Sequence, residues 1–160
     1  MFRNDFKTSA IVRRMVFSTI AILGAASSIV ADDKTTDKDL AQLQGEWQMV
    51  SGSADGFSLS DEMIRNFKRV CKDDVTTVTN GNQVFMKAKF KVDPTKSPKA
   101  IDYDITDGPT KGKKQLGIYE LNGDTVKFSF AAPGQERPTD FSSKSGDHRT
   151  VSVWKRVKKD

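Results

Sequence analysis

The sequence predicts an all-β domain of about eight antiparallel strands curled into an up-and-down barrel, with one short helix after the first strand. Period-two alternation of apolar and polar residues runs through most of the chain after residue 40. Tight-turn residues fall between the alternating stretches. The intervening segments are short enough to join neighbouring antiparallel strands, the connectivity of a meander that closes on itself. Closure would also remove the exposed edges that charged strands otherwise have to protect.

Each element follows in chain order. Trp47 and Met49 open the first strand. Ser60 is placed to cap a helix, with Asp61 and Glu62 in its positively polarised first turn and Met63, Ile64 and Phe67 facing inward. The clearest strand is Val84–Val92. Val84, Met86, Ala88, Phe90 and Val92 share one face, and Phe85, Lys87, Lys89 and Lys91 the other, a separation no helix achieves. Ile101, Tyr103 and Ile105 alternate with Asp102 and Asp104, and Val126, Phe128 and Phe130 with Lys127 and Ser129. Val151 and Val153 mark the last strand. Asn80-Gly81 and Asn122-Gly123 are expected as hairpin turns, because both residue types tolerate positive φ. Pro and Gly place longer loops at 93–98, 107–114 and 133–138.

The first residues read as an address. Residues 1–14 carry Arg3, Lys7, Arg13 and Arg14 against Asp5, residues 15–31 carry no charge, and Asp32-Asp33 restores polarity. That order is the pattern of a secretory signal peptide over residues 1–31, cleaved after Ala31 or, alternatively, after Ala26. Diluted by Ser, Thr and Gly, the apolar stretch falls short of a membrane span. The expected destination is the periplasm or the exterior. Residues 32–39 (DDKTTDKD) are expected as a flexible lead-in and residues 40–160 as the barrel. The leader holds four bases and one acid, so its loss lowers the net charge from +5 to +2. The basic balance therefore implies no nucleic-acid partner.

Little in the chain points to chemistry. With one Cys and one His, a disulfide framework and a cysteine-rich zinc site are excluded. Asp102, Asp104 and Asp107 lack the spacing of a calcium loop, since Lys113 stands where a bidentate Glu is needed. Asp73-Asp74 are adjacent and so point apart in a strand. His148 lies near Ser142, Ser143 and Ser145 without a nucleophile turn. An enzyme would need polar groups converging in the barrel mouth, for instance Tyr119 with Glu120 or His148. Cys71 reads as an inert thiol. The Lys87, Lys89, Lys91 stripe and the Lys155, Arg156, Lys158, Lys159 cluster read as solvated faces. No cofactor and no metal is expected, and the domain is read as non-catalytic.

Four stretches carry a resemblance: LQGEW at Leu43–Trp47, DPTKSPKAIDYDITDGPTKGK, LGIYELNGD and APGQERPTDFSS. Together they resemble an uncharacterised lipocalin-like domain family abundant in exported planctomycete proteins, for which no activity or ligand is established. The resemblance implies that Trp47, set up by Gly45, closes one barrel end. It also implies that Arg156, or secondly Arg149, packs across the Trp47 ring. The inward set is then Trp47, Met49, Met86, Phe90, Ile118, Phe128, Phe130 and Val153. Of these, Met86, Phe90, Ile118, Phe128 and Phe130 are the candidate contacts for a small apolar molecule in the interior. The alternative is an envelope interaction module working through its loops, with Arg137 at the tip of APGQERP.

Overall fold

A computed structural model describes residues 27–158, so most of the expected signal peptide lies outside the described residues. The elements are α1 (Ser27–Leu43), β1 (Gly45–Ala54), β2 (Phe57–Ser58), α2 (Asp61–Asn66), β3 (Phe67–Lys72), β4 (Val75–Asn80), β5 (Gln83–Asp93), β6 (Lys99–Asp107), β7 (Lys114–Asn122), β8 (Thr125–Phe130) and β9 (Thr150–Arg156). From β3 to β9 each strand pairs antiparallel with the next, β1 pairs with β3, and β9 returns to β1. The result is a closed, lipocalin-like up-and-down barrel of eight strands, with the two-residue β2 hydrogen-bonded only to the end of β1.

α1 and a set of contacts centred on Trp47 and Arg156 seal one end. The Trp47 indole donates to the Leu43 carbonyl at 2.9 Å, and the Arg156 guanidinium lies 4.2 Å from the Trp47 ring centre. Arg156 also donates to the carbonyls of Gln42 and Gln44 and pairs with Asp124 at 3.3 Å. One side chain thereby ties the helix end, the first strand and the β7–β8 turn. The close approach demands Gly45, whose φ is +104° and whose absent Cβ would stand 3.3 Å from the guanidinium.

Residues 32–39 are helical within α1, not a loose lead-in. Asp39 anchors the end of that stretch: it is buried and accepts from Lys99 Nζ at 2.7 Å and the Tyr119 hydroxyl at 2.6 Å. Ser60 caps α2 as expected, its Oγ accepting from the Met63 amide at 3.3 Å.

The turns differ from expectation by one residue. Asn80 pairs with Gln83 and Asn122 with Thr125, so the turn pairs are Gly81-Asn82 and Gly123-Asp124, with positive φ on each Gly. Asp73-Asp74 forms a third tight turn, with Asp73 at φ +54°.

Bulges and single-residue offsets correct the inward set. A register shift in β5 leaves Val84 exposed and makes Phe85, expected on the solvent face, edge onto Phe67 at 5.2 Å. On β7 the inward residues are Gly117 and Tyr119. Ile118 pairs with Ala100 on the outer face and is buried beneath the loop that carries Arg137 and Pro138. On β9 the inward residues are Ser152 and Trp154, and Val153 sits outside opposite Lys127. Alternation alone does not say which face a short apolar triplet turns inward. Here the largest rings take the interior.

Gly117 faces the Phe130 ring so closely that a Cβ there would stand 2.4 Å from it and 2.8 Å from the Ser129 carbonyl oxygen. Gly117→Ala should therefore cost about 1–3 kcal/mol through overpacking, measured as a lower midpoint in urea unfolding.

Candidate functional site

The barrel interior divides into two halves. Toward the sealed end, Leu43, Trp47, Phe90, Ile101 and Phe128 pack without space for a water. Toward the mouth a cavity of about 410 Å³ remains, walled by Met49, Phe67, Val78, Phe85, Met86 and Phe130. Leu59 and Met63 from the α2 region, Pro109 and Thr110, and Pro133 form its rim. Met63 and Phe85 are 43% and 50% exposed, so the apolar lining continues out to solvent.

The floor is polar. Arg69, Tyr103 and Trp154 meet there. The inward alternation Phe67, Arg69, Cys71 on β3 places a guanidinium inside the barrel, only 4% exposed. Its Nη1 donates to the Tyr103 hydroxyl and to Thr76 Oγ1. Its plane is held 4.5 Å from the Phe128 ring centre and 4.6 Å from that of Trp154. Cys71, a buried free thiol, donates to the same Thr76 oxygen at 3.4 Å.

The five candidate contacts thus part company. Met86 and Phe130 line the cavity, Phe90 and Phe128 belong to the packed half, and Ile118 is outside the barrel. Sequence reading missed Arg69 and Phe85. The signal for Arg69 was present, because Phe67 and Cys71 fix the intervening odd position on the same inward face.

Outside, a groove of about 370 Å³ runs between the sheet and the 131–141 loop. Arg137 spans it, donating to the Ile101 and Gly117 carbonyls at 3.1 and 2.7 Å and pairing with Asp102 at 2.6 Å. Arg137 is therefore a strap that holds the loop down, not a free tip for a partner. The Lys87, Lys89 and Lys91 stripe stands in register with Asp107, Asp104 and Asp102, so that face interleaves opposite charges.

Tyr119, Glu120 and His148 do not converge at the mouth. Tyr119 is buried against Asp39, Glu120 is exposed, and His148 sits in an exposed loop 3.7 Å from Asp55. Among the described residues no cluster of three or more His, Cys, Asp or Glu could hold a metal ion, and no helix is long and apolar enough to cross a membrane. No family model, no curated protein and no solved structure matches the chain.

Both tyrosines of the chain are buried in this interior. Burial pushes the Tyr103 phenol up, despite the opposing pull of Arg69, and burial with the Asp39 carboxylate alongside pushes Tyr119 up. A phenol whose pKa is raised by folding stays protonated in the folded chain and ionises in the unfolded one above about pH 10. Stability is then fully present below that pH and falls above it, by up to about 1.4 kcal/mol per pH unit for each phenol. Tyrosinate absorbance should therefore stay low through that pH range and rise together with loss of the sheet signal in circular dichroism. Ionisation of either tyrosine at its ordinary pH in the folded protein would contradict this.

Proposed function

We propose that this protein is an exported, non-catalytic carrier that takes one small apolar molecule into the mouth half of its barrel. The supporting observation is the cavity of about 410 Å³ with apolar walls, a size within the roughly 300–1,000 Å³ of small-molecule sites. All three methionines after residue 31, Met49, Met63 and Met86, line it. Unbranched thioether side chains re-pack around guests of different outline, which suits a site selecting by polarity more than by shape. Export is supported by the basic leader, the uncharged stretch and the acidic junction at Asp32. The lipocalin-like resemblance adds the same exported setting to this reading, and no ligand.

A neutral apolar fluorophore such as N-phenyl-naphthylamine should bind at one site with enhanced emission. Ala54→Phe, at the cavity wall, should weaken that binding by at least about tenfold while leaving the unfolding midpoint near that of the parent. Absence of dye binding, or unchanged binding in the variant, would remove the interior-carrier reading. Export has its own test. N-terminal sequencing of protein recovered from the periplasm of a Gram-negative host should begin at Asp32 or, for the alternative junction, at Ser27, and material retained in the cytoplasm starting at Met1 would refute it.

A further inference from the structure

The floor of the cavity holds a charge with no counter-charge. Among the described residues lining the space, Arg69 alone is charged, and no Asp or Glu forms an ion pair with it. Its two hydrogen bonds both leave from Nη1 and end on neutral hydroxyls, while Nε is buried with no partner. Tyr103 does not supply the missing anion, because burial keeps its phenol protonated. The rings of Phe128 and Trp154 offer their negative faces to the guanidinium, which offsets part of the cost of burying it. They supply no acceptor for the remaining N–H groups. A guanidinium cannot shed its proton to escape, so a buried unpaired one stays costly until an anion arrives.

Resting on the carrier reading above, we infer that the guest is an amphipathic carboxylic acid: its chain lies along Met49, Val78, Met86 and Phe130, and its carboxylate settles on Arg69. The planar carboxylate matches the guanidinium fork, and the dry surroundings strengthen the pair. Met63 and Phe85 at the rim receive the far end of the chain. A head group without a chain gains none of the apolar burial, and a chain without the charge leaves Arg69 unpaired. Neutral apolar guests therefore bind, and the tightest guest carries both parts in one molecule.

Calorimetric titration with decanoate, decanol, decylamine and acetate tests this on the intact protein. Decanoate should bind at least about tenfold tighter than decanol, and decylamine and acetate should bind weakest. Arg69→Met should erase the preference of acid over alcohol while keeping decanol binding. Arg69→Lys, which retains the charge without the fork, should keep part of the preference and serves if the methionine variant fails to fold. Emission from Trp154, whose ring packs on Arg69, should change with decanoate in the parent and not with acetate. Equal binding of decanol and decanoate to the parent overturns the carboxylate inference and leaves the carrier reading standing. Tight binding of acetate alone overturns it as well, in favour of a simple anion site. Failure of every chain-bearing ligand together with the neutral dye overturns both readings.

Discussion

β1 is shared between two neighbours. Its residues 45–48 pair with β3, and residues 47–54 pair with β9 around a bulge after Met49. Closure of the sheet depends on that double duty, and so does the difference between the two ends. Where β1 touches both neighbours, the wall is complete and Trp47, Arg156, Gly45 and α1 seal it. Beyond Gln48, β1 leaves β3, and the ladder is replaced by a side chain. Gln48 Nε2 donates to the carbonyls of Ile64 and Phe67, both at 3.0 Å, stitching α2 into the gap. The sealed half and the hollow half are consequences of where one strand changes partners.

Charge is sorted by the same sheet. On the outer face, bases of β5 stand opposite acids of β6, and Arg137 and Lys114 pair with Asp102 and Asp104. At the sealed end Asp39 is matched by Lys99. Among the described residues the buried charges are Asp39, which has Lys99, and Arg69, which has no ion partner. A barrel needing only a filled core would place Met or Leu there at less cost in desolvation.

Much of the fold was legible because strands reveal their faces through period two, and Val84–Val92 and Ile101–Ile105 are long enough to average over errors. The Arg156–Trp47 contact beside Gly45 joins the last strand to the first, a pairing that alternation does not encode. The misreadings all fall where one residue shifts the phase. The bulge at Phe85 turns a ring toward the cavity, and Leu116-Gly117-Ile118-Tyr119 reads equally well in either register until the Phe130 ring claims the space over Gly117. Buried Asp39 was hidden in a polar run, since its partners lie 60 and 80 residues away. Cavity volume was never in the pattern at all, because alternation sets direction and not radius. Arg69 was overlooked for a different reason. A base inside a barrel contradicts the usual preference for apolar side chains in a core.

The six-residue α2 has no buried residue, yet it stands where the wall between β1 and β3 is missing. No rung joins α2 to a strand, so a change in this turn of chain leaves intact the ladders that close the barrel.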